Sequence, residues 1–367
     1  MRKKICAIGF LLLLFVFCGC TGMLAFKDTF IYHPTSLKEI LLDRDSIIER
    51  NLYPKRPLIH LYGGFLRLCG IDYIDDPTTE NRTYRVQQGG GTFIRYEKLA
   101  WTDEQLNAIR DWKAASDAEA HFVYIPKRVC TPERLCSRGV REYSAQAEAL
   151  KTKTFAEYGY QVLNLHEAMH DQDLGHEALY YNSDHHWKTQ TALWAAREIA
   201  ETLGLDTTLL RDEQYTVETY PDYFLGSLGR RVGTLYFGVD DFTLLVPKYD
   251  TDYVYANDKV TRTGTFREAC LEEKHIVKDY FDANCYAAFL GGDFALTELV
   301  NRNNPDGTHL LMIKDSFTNS IAPYLIASCG KITMIDPRAY TDSISDAIRQ
   351  ADADILLVTI SLEKYHS

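Results

Sequence analysis

The stretch Tyr180-Tyr181-Asn182-Ser183-Asp184-His185-His186-Trp187 puts a carboxylate and two imidazoles in consecutive positions. Such a set can do acid–base work, because a carboxylate that holds one imidazole nitrogen decides which nitrogen is left to take a proton. Side chains alternate along an extended segment, so Asp184 and His186 should face one side and His185 the other. On these residues alone a second reading stays open, in which Asp184 caps the following helix and the histidines pack or meet solvent. A nucleophile elsewhere in the chain would decide between them. Ser316 is the candidate, since it follows the apolar run at 309–313 and precedes a helical stretch. A serine so placed has the positive end of the helix dipole and unpaired backbone N–H groups beside it, which can hold an oxyanion. Taken alone it also reads as an ordinary N-cap. It becomes a nucleophile only with a base in reach, itself held by a carboxylate, and His186 and Asp184 can fill those roles.

The elements that must bring these groups together can be read from hydrophobic spacing. Residues 161–165 read as a strand, and Ala192, Ala195, Ala196, Ile199 and Leu203 have helical spacing that stops at Gly204. At the C-terminal end, strands at 309–313, 331–335 and 354–360 alternate with helices at 317–328 and 343–350. Repeated βα units with continuous apolar runs indicate a mainly parallel sheet covered by helices on both faces. Sites in such sheets form at the carboxyl ends of strands, where both the Asp-His cluster and Lys314-Asp315-Ser316-Phe317 would lie. Upstream, Thr102-Asp103-Glu104-Gln105 is a capping box that opens a helix to about residue 118, followed by a buried strand at 121–126 and a helix at 142–158. Residues 83–86 and 92–96 read as a hairpin across Gly89-Gly90-Gly91; no Gly-Lys-Ser/Thr follows, so this is not a phosphate loop. Residues 205–292, rich in Tyr, Thr, Val and turn glycines, read as a β-rich insertion.

The chain is 367 residues long, 46% hydrophobic and formally −11 in charge, enough to bury a large core and without the basic footprint of a nucleic-acid binder. Residues 1–26 carry a basic start, an apolar run and small residues around Cys20, so a signal peptide, a lipid anchor at Cys20 and an uncleaved membrane anchor are all open. Residues 27–80 read as an N-terminal helical arm, with a helix at 36–51, and 81–367 as the main domain. Six cysteines outside the leader allow disulfides, Cys130 and Cys136 being the closest pair, but no paired C-x-x-C suggests a zinc site. His176, His185 and His186 lack metal-ligand spacing as well, and neither metal nor other cofactor is expected.

Asp184-His185-His186-Trp187 resembles the motif that names the DHHW protein family, and Lys314-Asp315-Ser316-Phe317 with Ile335-Asp336-Pro337-Arg338 resembles its second block. Tyr53-Pro54-Lys55-Arg56, Phe224-Leu225-Gly226-Ser227-Leu228-Gly229 and Leu290-Gly291-Gly292-Asp293 support the resemblance, which runs from about residue 46 to 360. That family is similar to the SGNH-type alginate O-acetyltransferases of bacterial envelopes. The resemblance implies an SGNH-hydrolase-like α/β fold, with Ser316 as nucleophile, His186 as general base and Asp184 as its orienting partner. Lys314 stands where the glycine of Gly-Asp-Ser would be, and Asn182-Ser183 replaces an expected Arg-Thr. Arg338, Tyr181 and Lys314 are the candidate substrate-binding residues. Arg338 equally suits a salt bridge to neighbouring acids, and Tyr181 suits packing. The expectation is an exported, membrane-tethered O-acetyltransferase or esterase acting on a surface polysaccharide, with a membrane protein as a candidate acyl donor. The alternative is a non-catalytic envelope protein that uses the same cleft for glycan binding or assembly.

Overall fold

Strands whose every residue is apolar need burial on both faces, and the fold supplies it. The computed structural model describes residues 2–32, 47, 51–71, 73–74, 83–85, 92–94, 100–128, 143–172 and 176–360. Its strands are β1 (Tyr73–Ile74), β2 (Thr83–Arg85), β3 (Thr92–Ile94), β4 (Glu119–Tyr124), β5 (Gln161–Asn164), β6 (Tyr215–Phe224), β7 (Asp240–Pro247), β8 (Tyr253–Asn257), β9 (Thr261–Gly264), β10 (Leu296–Asn301), β11 (His309–Ile313), β12 (Lys331–Ile335) and β13 (Ile355–Val358). Eight of them form one sheet in the order β5-β4-β13-β11-β12-β10-β8-β9. The first five of that order are parallel, and β10, β8 and β9 continue it antiparallel.

Alternation along the central strands feeds two cores. Leu310 and Met312 of β11 and Leu357 of β13 enter one, while Leu311, Ile313, Leu356 and Val358 enter the other. Helices Thr189–Thr202 and Thr318–Leu325 cover the first face through Ala192, Ala196, Ile199, Ile321 and Leu325. Helices Asp103–Ala114, Ser144–Glu157 and Ile344–Ala351 cover the second through Ile109, Trp112, Phe155, Ile344 and Ile348. The mainly parallel, doubly covered sheet is the one the apolar runs demand.

The capping box forms, with Thr102 Oγ1 accepting the Gln105 N–H at 3.2 Å, but its helix stops at Ala114 rather than near 118. The helix after Ser316 is α-helical over Thr318–Leu325 and closes in a tighter turn, Ile326–Ser328. The hairpin pairs β2 with β3, and β1 adds a third strand. Within 205–292, β6 and β7 form a separate ribbon, while β8 and β9 are built into the edge of the main sheet. The helix expected at 36–51 falls largely, and Cys130, Cys136 and the glycine run at 89–91 entirely, outside the described residues. Cys69, Cys270, Cys285 and Cys329 are free thiols, the last three buried.

At the N-terminus, helix Arg2–Lys27 contributes to a stretch, Leu14–Ile31, that is long and apolar enough to cross a membrane. Helix Lys55–Leu68 follows and packs on two short helices, Gly229–Val232 and Thr234–Phe237.

Candidate active site

Asp184 and His186 come together through a turn rather than through strand alternation. Asp184 Oδ1 accepts the His186 backbone N–H at 2.9 Å and faces His186 Nδ1 at 2.5 Å. An aspartate side chain bonded to the N–H two residues on is an Asx turn, and it brings both side chains to one place. The same bend overturns the expected placement of His185. Its ring lies 3.8 Å from that of His186, centroid to centroid, and its Nδ1 lies 3.5 Å from Asp184 Oδ1 and 3.1 Å from Ser227 Oγ.

The loop after β6 holds the carboxylate from the far side. Ser227 N–H donates to Asp184 Oδ2 at 2.6 Å, and a Cβ on Gly226 would lie 2.2 Å from Asp184 Cβ, so a residue without a side chain is needed there. Burial alone would raise the Asp184 carboxyl, but the His185 and His186 imidazoles and the His186 hydrogen bonds outweigh it and hold the group well below the usual carboxylate range. An ionised Asp184 draws the Nδ1–H of His186, which leaves Nε2 with the free lone pair.

Ser316 lies at the other end of that ring. Its Oγ is 2.8 Å from His186 Nε2, across 130 positions of sequence. It follows β11, and the Thr318–Leu325 helix starts just beyond it, while Phe317 N–H is taken by Asp315 Oδ1 at 3.1 Å. Among the described residues the Ser316 N–H makes no hydrogen bond, so it is available to an oxyanion. Tyr286 stacks on the His186 ring at 3.9 Å and 16°, with Phe317 tilted against it at 4.9 Å. Tyr286 Oη and Trp187 Nε1 both meet the buried Ser320 Oγ, at 2.8 Å and 3.0 Å, which anchors Trp187 to the helix that follows Ser316.

Lys314 does not face the Ser316 hydroxyl. It is 1% exposed, and its Nζ donates to Asp293 Oδ1 at 3.1 Å, Asn319 Oδ1 at 3.0 Å and Asp336 Oδ2 at 3.0 Å. Arg338 closes the same cluster, its Nε donating to Asp336 Oδ1 at 2.8 Å and its Nη2 to Asp293 Oδ2 at 2.9 Å. Burial would raise both carboxyls, but the two cations win and hold Asp293 and Asp336 below the usual range. A third of the Arg338 side chain reaches solvent, where it lines a cleft of about 550 Å³ with Trp112, Pro337, Tyr340 and Ser343. Tyr181 is 1% exposed, packs edge-on against Phe224, and has its carbonyl bound by Arg128 Nη1 at 2.7 Å.

Several supporting residues carried no readable signal. Asp240 accepts the backbone N–H groups of Asn182 and Ser183, each at 2.8 Å, and the Ser183 hydroxyl at 2.6 Å. Burial raises this carboxyl, and Ser183 opposes the rise. Asp240 and Tyr286 belong to no spacing pattern, and Tyr286 is one of 24 tyrosines. Gly226-Ser227, by contrast, stood in a recognisable block. Asp184, His185 and His186 also present ligand atoms within 4.8 Å of one another, although Asp184 Oδ2 and His186 Nε2 are already paired with Ser227 and Ser316.

The molecule is thus an α/β protein with a helix-covered, mainly parallel sheet and an Asp184-His186-Ser316 line at the carboxyl edge of that sheet, an arrangement in which the imidazole can take the serine proton. The family described as DHHW protein matches residues 157–335 of this chain. A DHHW family protein from Eubacterium siraeum superposes with a TM-score of 0.58 at 17% identity, over 81% of this chain and 95% of that one. Bacillus cereus PatB1, solved with a sulfonyl adduct, superposes with a TM-score of 0.57 at 17% identity, over 75% of this chain and 96% of its own. The O-acetyltransferase domain of Pseudomonas putida AlgJ aligns at a TM-score of 0.45 and 11% identity, over 76% and 90% of the two chains. No curated protein matches the sequence. The first two superpositions establish a shared fold.

Proposed function

We propose that this protein is an envelope O-acyltransferase or esterase that moves an acetyl group on a surface glycan through an acyl-serine at Ser316. One observation carries the reading: the line from Asp184 Oδ1 to His186 Nδ1 at 2.5 Å and from His186 Nε2 to Ser316 Oγ at 2.8 Å. Ser316 Oγ attacks the acyl carbonyl as its proton passes to His186 Nε2, and the imidazolium so formed is balanced by ionised Asp184. The Ser316 N–H holds the developing oxyanion. His186 then returns the proton to the leaving oxygen, and an acceptor hydroxyl or water, deprotonated by the same nitrogen, releases the acyl group. In PatB1, which shares the fold, a sulfonyl adduct was observed, and sulfonylation is a reaction of activated nucleophiles. Arg338, at the solvent edge of the charged cluster, is the group we assign to an anionic or hydroxyl-rich part of the substrate. Helix Arg2–Lys27 supplies the membrane tether.

The test is turnover of a chromogenic acetyl ester by the full-length protein, with and without a glycan acceptor, beside Ser316→Ala and His186→Ala. Activity lost in both variants and raised by acceptor supports a transferase, whereas loss without acceptor dependence supports an esterase. Turnover that survives in both variants, or that follows added zinc, removes the acyl-serine. No turnover together with glycan binding unaffected by either change would favour the non-catalytic envelope role.

A further inference from the structure

Helix Lys55–Leu68 is amphipathic in the reverse of the usual sense, because its larger apolar face is outside. Leu58, Leu61, Tyr62, Phe65 and Leu68 recur at i, i+3, i+4, i+7 and i+10, one stripe of a helix, and they are 39%, 65%, 52%, 60% and 85% exposed. The opposite face is fixed to the protein. A Cβ on Gly63 would fall 1.7 Å from the Val232 carbonyl oxygen, so backbone rests on backbone there, and Leu66 packs with Val232 and Tyr236. His60 Nδ1 accepts the Thr234 N–H at 3.0 Å. The stripe therefore cannot turn inward without losing this seat.

What covers it is indicated by the chain just before it. Thr21 lies within the membrane-length stretch Leu14–Ile31, and its Oγ1 accepts the Tyr53 N–H at 3.1 Å, while Asp28 Oδ2 accepts from Asn51 Nδ2 at 3.0 Å. Both bonds tie the segment that opens helix Lys55–Leu68 to the apolar N-terminal stretch itself, so the exposed stripe starts beside the tether and shares its surroundings, as an interfacial helix does. Lys55 opens the helix and Arg67 stands in its last turn, cations at both ends in a chain of net charge −11. Tyr62 and Phe65 supply the aromatic contacts favoured at that boundary.

We propose that helix Lys55–Leu68 is a second membrane contact: it lies in the outer lipid interface with the Leu58-to-Leu68 stripe in the acyl region, and fixes the height and orientation of the Ser316 site above the bilayer. The inference rests on the membrane tether proposed above. It is tested on the full-length chain in phosphatidylcholine and phosphatidylglycerol vesicles by brominated-lipid quenching of introduced tryptophans, each measured against the unmodified protein. Phe15→Trp reports the tether, Phe65→Trp the stripe, and Val217→Trp an exposed position on β6 away from both. Phe65→Trp should be quenched roughly threefold more strongly than Val217→Trp, at every protein-to-lipid ratio. Quenching at Phe15→Trp with none beyond Val217→Trp at Phe65→Trp leaves the tether standing and overturns the stripe. Absence of quenching at both removes the tether and the stripe with it. A Phe65→Trp emission shift that grows with protein density assigns the stripe to a second copy of the chain and equally overturns the proposal.

Discussion

Asp184 is placed by a two-residue turn, a glycine and one backbone N–H, so the role proposed for it depends on very short distances. Asp184→Asn keeps the volume but can present an amide N–H to Nδ1, forcing the wrong His186 tautomer; kcat should fall by about 10⁴-fold with KM little changed, as steady-state ester kinetics would reveal. Gly226→Ala tests the same contact from the other side. The added Cβ must displace Asp184, and a shift on the order of 1 Å should cost about 10²-fold in kcat while circular dichroism stays native. Unchanged kinetics in Gly226→Ala would mean that Asp184 is not held as described. The pairing of Asp184 with His186 was legible in the sequence, but for a reason the structure replaces. Alternation predicted a shared face and sent His185 away, whereas the Asx turn gathers all three side chains.

At the level of elements, the ends of β11 and β12 and the turn before β10 are tied together by Lys314, Asp336, Arg338 and Asp293. Lys314 was expected to bind substrate; the fold instead turns its side chain inward to buried Asp336, in an ion cluster that only Asp293 and Arg338 open to solvent. Nothing in a single sequence distinguishes the two placements, since the partners come from three separate strand ends. Replacing this lysine by glycine, Lys314→Gly, should therefore destabilise the protein, by roughly 3–5 kcal/mol in urea unfolding, because buried Asp336 loses one of its two cations and keeps only Arg338. The pH response has a defined sign. Asp293 and Asp336 are depressed in the fold, so their stabilisation is present above the ordinary carboxylate range, about pH 4, and is lost as pH falls through their lower folded values. The melting temperature should decline on acidification below about pH 4, and Asp336→Asn should flatten that acid limb.

For the whole molecule, the C-terminal βα repeat was readable because its strands carry near-continuous apolar runs. Two of them, His309–Ile313 and Lys331–Ile335, have the boundaries their composition suggests. The antiparallel edge was not readable, since β8 alternates buried with half-buried residues and β9 exposed with half-buried ones, as a separate ribbon could, and only the pairing of β8 with β10 joins them to the sheet. The reach of Ser316 to His186 is a property of that whole assembly, spanning 130 positions of chain. It is measured most directly by intact-protein mass after brief exposure to an acetyl ester or a sulfonyl fluoride, with peptide mapping of the adduct. One acyl or sulfonyl group should appear, on Ser316, absent from Ser316→Ala and strongly slowed in His186→Ala. An adduct on another residue, or labelling that ignores His186, would contradict it.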